Sequence, residues 1–269
     1  MRPAYLIPAF LLAAATAPAL AQQQPVTLRV AARLGQTMRF RTDIETWLNI
    51  PQLAAAGADT TRPTMAISLF ITRTVAATRG DTAVFRDVVD SATAATPAIG
   101  SLSPADAAAA ASSMRGMVML SAVDGRGILL DYAAGTERTN PLEPPAQAML
   151  PQAGLLRAVF AFPAAPVRPG DSWSETLTGG DRDGSLTLSA TFTLERTLRQ
   201  GNSTVAVIGM AGQIGGGGPS GALAARVTGR IEYDMTESQP VRFVTDMVGQ
   251  LATSSGSVPV RIRRTVTRL

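Results

Sequence analysis

The sequence predicts a mainly β protein: one large curved antiparallel sheet or incomplete barrel, with two helices packed on it. Three observations lead there. Apolar and polar residues alternate with a period of two over long runs, as in strands with one dry and one wet face. Turn-forming residues separate the runs at hairpin spacing. Two segments break the rhythm with helix start and stop signals.

The first element stands apart from the fold. Arg2 precedes an apolar stretch from Ala4 to Ala17, and Ala19-Leu20-Ala21 puts small residues where a signal peptidase reads. Residues 1–21 are therefore expected to be a cleavable signal peptide, and residues 22–269 a single antiparallel β domain, periplasmic or secreted. An uncleaved anchor is the competing reading. A helical span needs about 20 apolar residues, and Pro8 and Pro18 interrupt this shorter stretch. No later segment is long and apolar enough to span, and no cysteine follows to carry a lipid.

Strand patterns come next. Leu28 and Val30, then Met38 and Phe40, alternate with polar neighbours, and Arg39, Arg41 and Asp43 take the opposite parity. Met65, Ile67, Leu69 and Ile71 do the same, as do Leu186, Leu188, Ala190, Phe192 and Leu194. Turns are expected at Arg79-Gly80-Asp81, Asp124-Gly125-Arg126-Gly127, Gly201-Asn202 and Ser238-Gln239-Pro240. About eleven or twelve strands result.

The first helix opens with Ser103 as N-cap, Pro104 in the first turn and Asp106 where a carboxylate favours the helix dipole. Gly116 closes it after Arg115. A second, helical connector is expected over about 142–162, kinked at Pro151 and stopped by Pro163, with Leu155, Leu156, Val159 and Phe160 along one face.

The two halves of the chain, about 26–133 and 167–268, look alike. Gly35-Gln36-Thr37-Met38 and Gly170-Asp171-Ser172-Trp173 each open a strand, and a long hairpin follows each. Thr64 corresponds to Ser185 and Gly80 to Gly201, each 121 positions later. Duplication of a β module explains this; so does the narrow residue vocabulary of antiparallel hairpins.

Composition excludes several chemistries. The chain has no His and no Cys, and all 24 of its basic residues are Arg. Ser-His-Asp and Cys-His nucleophilic systems, His or Cys zinc sites, Lys Schiff bases and Lys phosphate loops are thus ruled out. Arg261, Arg263, Arg264 and Arg268 crowd the end of the chain without interleaved aromatics, so nucleic-acid binding is not expected. Asp181 and Asp183 lie in a Gly-rich stretch without the further ligands of a calcium loop. Gly215 to Gly218 read as a mobile loop, and Ser220 has no base to activate it. No catalytic, metal or cofactor site is therefore assigned.

Val167-Arg168-Pro169-Gly170-Asp171-Ser172-Trp173 is the sharpest local signal: a type II turn delivering a tryptophan into a strand. It resembles the V-x-x-G-D-x-W segment of exported bacterial β families that bring no assigned chemistry. At the level of architecture, the expected sheet with helices against its concave face is similar to the half-barrels of LolA- and LolB-type lipoprotein carriers.

Three uses stay open on these grounds. The first is a non-catalytic envelope protein holding a lipid or other apolar or amphipathic ligand between sheet and helices. Met114, Met117, Met149, Leu155, Phe160 and Trp173 are its expected lining, because Met and aromatic side chains suit irregular apolar cavities. The second is a structural or assembly protein that meets an envelope partner through an exposed strand edge, the Arg-rich stretch Val258 to Arg268. The third is a hydrolase working with Asp and Glu pairs, for which Glu175, Glu232 and Asp234 are the acids to follow.

Overall fold

Alternation becomes pairing in the computed structural model, which describes residues 24–49, 61–95, 103–136, 160–179, 185–218, 221–253 and 256–269. The predicted signal peptide, the Asp181–Asp183 stretch and nearly all of the predicted connector lie outside these residues. The chain forms β1 (Thr37–Leu48), β2 (Met65–Arg79), β3 (Thr82–Ala95), α1 (Pro104–Ser113), β4 (Met117–Val123) and β5 (Leu129–Thr136). It continues with β6 (Ser172–Gly179), β7 (Ser185–Gln200), β8 (Ser203–Gly218), β9 (Gly221–Asp234), β10 (Gln239–Thr253) and β11 (Gly256–Arg268). All eleven strands join one antiparallel sheet in the order β5-β4-β3-β2-β1-β11-β10-β9-β8-β7-β6.

The expected β class is therefore what forms, with two corrections. One helix, not two, is present among the described residues. The described end of the predicted connector, residues 160–162, is irregular chain. Its backbone bonds across the molecule, with the Phe162 amide donating to the Arg126 carbonyl at 2.7 Å. The Arg-rich last strand is also not an edge. β11 lies at the centre of the sheet, with Ile262 opposite Thr46 of β1 and Met247 of β10. The edges are β5 and β6. Sequence alternation says which face of a strand is dry, but a strand's neighbours depend on contacts far along the chain. No described helix is long and apolar enough to cross a membrane.

Helix α1 forms where the cap predicts it. The Ser103 hydroxyl accepts from the Asp106 amide, and the Asp106 carboxylate accepts from the Ser103 amide, which completes a capping box. Ala107, Ala110 and Ala111 face inward, and the helix lies against β3. The glycine run Gly215 to Gly218, expected as a loop, instead finishes β8 and pairs with β9 down to Gly218 opposite Gly221. Backbone ladder bonds hold these residues without any side-chain contribution.

The sheet bends back on itself. Ten strand spacings separate β5 from β6 in the strand order, which would put them about 48 Å apart on a flat sheet. Yet Arg126, in the turn before β5, is ion-paired with Glu175 on β6. Small residues on the inner face of β7 to β10 accommodate the bend. Gly212 faces Ala190, and Gly249 faces Ala225. A Cβ on Gly249 would fall inside the van der Waals envelopes of the Ala224 carbonyl and the Ala225 side chain. Gly249→Val is expected to lower stability by about 3 kcal/mol, the upper part of the usual overpacking range. Urea unfolding checks this, and a loss under about 1 kcal/mol would show that the strands can part there cheaply.

Two irregular segments line the inner face. Residues 24–34 and 160–170 meet through the reciprocal bonds of Val26 and Val167, at 2.8 and 3.0 Å. Leu28, Ala161, Phe162 and Val167 of these straps join the largest buried cluster, beneath Phe192, Leu194, Ile208 and Ile231. The turn Arg168–Asp171 forms as expected, with Gly170 at φ +94° and the Asp171 amide donating to the Arg168 carbonyl.

Candidate functional site

The four described residues of the predicted lining, Met114, Met117, Phe160 and Trp173, do not come together. Met114 and Met117 are buried under α1 with Ile67, Leu69, Val89 and Met119, in a packed cluster of their own. Trp173 is an anchor: its indole Nε1 donates to the Ala161 carbonyl at 2.7 Å, and its ring stacks on Phe192 at 5.7 Å. Met149 and Leu155 lie outside the described residues. Among the described four, Phe160 alone lines a cavity.

That cavity, of about 130 Å³, lies between the inner face of the sheet and the two straps. Its apolar lining includes Phe40, Phe85, Phe160, Phe243 and Val266. Gly127, at φ +82°, lets the Phe160 ring close over it; a Cβ there would sit 2.9 Å from Phe160 Cε2. Phe160 also meets Phe162 at 5.3 Å and Phe243 at 6.4 Å between ring centroids. The strap is pinned by Arg126, which donates from Nε to the Phe162 carbonyl at 2.8 Å and pairs with Glu175.

The rest of the cavity lining includes polar side chains. Thr42, Arg73, Asp87, Ser121, Gln239 and Arg264 all line it. They project from the inner face because they share the parity of apolar neighbours. Arg73 follows Ile67, Leu69 and Ile71, Asp87 lies between Phe85 and Val89, and Arg264 lies between Ile262 and Val266. Arg73 grips Asp87 with two bonds, Nε to Oδ1 at 2.7 Å and Nη2 to Oδ2 at 2.9 Å. Its guanidinium lies 5.5 Å from the Phe40 ring centroid and 5.0 Å from that of Phe85. Burial opposes the Arg73 charge, but the Asp87 carboxylate more than offsets it, so the guanidinium sits above its ordinary value. Sequence reading missed these residues. Charged residues in the apolar register of a strand were the signal available.

Tyr233 closes one end of the cavity. Its hydroxyl donates to the Arg29 carbonyl at 2.6 Å, and its ring meets Phe162 edge-on at 4.6 Å. Burial holds the phenol well above the ordinary tyrosine range. Below about pH 10 both folded and unfolded chains keep this proton; above it the unfolded chain releases its proton first. Stability is thus expected to fall as pH rises above about 10, and less steeply in Tyr233→Phe. Urea midpoints at pH 8, 10 and 11 check this; parallel curves would show that Tyr233 ionises freely.

Two of the three acids followed from the sequence, Glu175 and Asp234, serve structural contacts. Glu175 pairs with Arg126, and Asp234 accepts from the Thr236 and Glu237 amides and from Arg268. Burial raises the Asp234 pKa, and these three bonds, with one from the Ser203 side chain, more than offset that, leaving it below the usual carboxylate range. Among the described residues no group of three or more His, Cys, Asp or Glu is placed to hold a metal ion.

Taken together, fold and site define a mainly β protein with a small amphipathic cavity inside a bent eleven-stranded sheet. No family model matches the chain, and a search of curated proteins finds no relative.

Proposed function

We propose that this chain is an exported, non-catalytic envelope protein that holds an apolar or amphipathic ligand inside the bend of its sheet. The cavity behind the Phe160 strap is the observation that carries this reading. An apolar cavity of about 150 Å³ can take up benzene, whereas sites for drug-sized ligands run to about 300–1,000 Å³. A short apolar body therefore fits the cavity of about 130 Å³ as it stands, and a longer chain requires the 160–162 strap to lift. The architecture of this reading is an incomplete barrel built from two similar halves. Two features support it: β1 to β5 and β6 to β10 run across the sheet in the same order, and Gly80 and Gly201 turn at φ +59° and +58°.

Native mass spectrometry of protein purified from cell envelopes without detergent tests the reading. A mass increment lost after organic extraction is the expected result. Repeated preparations at the bare chain mass would overturn it.

A further inference from the structure

Resting on that reading, we infer that the cavity selects ligands bearing a carbonyl oxygen, a carboxylate or an amide, on a short apolar body. Two polar residues of the lining, Gln239 and Arg73, carry donors outside their contacts within the protein. Gln239 lines the cavity at 2% exposure, and its Nε2 finds no acceptor among the described residues. A buried amide left this way carries a desolvation penalty of about 1–3 kcal/mol, which an incoming acceptor would relieve. The Arg73–Asp87 pair engages Nε and Nη2 of the guanidinium, so Nη1 lies outside it. Nη1 carries two further protons. The rings of Phe40 and Phe85 lie close to the same guanidinium and hold the donor in place. Phe160, Phe243 and Val266 also line the cavity; they offer an acceptor nothing but suit a ring or a few methylenes. Donors set among apolar side chains orient a ligand: its oxygen goes to Gln239 or Arg73, and its carbon body lies against the rings.

NMR titration of the full chain with benzoate, benzamide and toluene tests this. All three share the ring; two carry a carbonyl oxygen, one ionised and one neutral. At least one of these two is expected to bind about tenfold more tightly than toluene, the worth of one good hydrogen bond to a buried group. Gln239→Leu is expected to remove that advantage while leaving toluene binding in place. Gln239→Glu keeps the size but replaces the donor with an acceptor, and should weaken benzoate most. It also serves as the test if the leucine variant does not fold. Whichever of benzoate and benzamide binds more tightly shows whether the head group is held charged or neutral. Toluene binding as tightly as both carbonyl probes, or an unchanged ranking in the variants, would overturn the selectivity and leave the holding function standing. Failure of all three probes would overturn both for this cavity.

Discussion

Asp87→Ala is expected to lower stability by about 4 kcal/mol. The Asp87 side chain is 4% exposed, and that of Arg73 is 29% exposed. Removing the carboxylate leaves a guanidinium on the inner face without its bidentate partner, and breaking a buried pair costs about 3–5 kcal/mol. The cost belongs to the orphaned charge rather than to the attraction lost. Arg73→Met combined with Asp87→Leu should therefore recover most of the stability, because it leaves no charge behind. Urea unfolding of the single and double variants makes the comparison. A single variant losing less than about 1 kcal/mol would mean that water reaches Arg73 readily.

Phe192→Ala is expected to cost about 3–5 kcal/mol by the same measurement, the usual range for truncating a buried Phe. Phe192 is 0% exposed within the largest buried cluster and stacks on Trp173. Its loss would leave a void under the 160–170 strap, so Trp173 emission should shift red along with the stability loss. A loss below about 1.5 kcal/mol, or an unchanged emission, would show that the strap settles into the space.

The strands and the first helix were legible because they rest on local rules. Ser103, Pro104 and Asp106 define a helix start by themselves, and each alternating run identifies its own dry face. The described end of the expected second helix, residues 160–162, departs from its spacing. Leu155, Leu156, Val159 and Phe160 have helical spacing, but Phe160 to Phe162 answer to Arg126, Gly127 and Trp173, residues distant in sequence. Of the expected lining, Met114, Met117 and Trp173 lie away from the cavity for a related reason. Met and Trp were chosen by residue type, whereas burial beneath α1 and stacking on Phe192 had already committed Met114, Met117 and Trp173. Placing β11 at an edge followed from its arginines. Alternation in fact sends Arg261 and Arg263 outward and Arg264 inward, where it serves a central strand.

By itself the sequence determined the period of two, the turns, the capped helix and the chemistries that a chain without His, Cys or Lys cannot perform. Tertiary structure alone decided the strand order, the bend that brings Arg126 to Glu175, and the cavity lined by both greasy and polar side chains. The division is physical. Alternation and capping act between residues a few positions apart, whereas a cavity is the space left when segments more than a hundred residues apart in the chain pack together.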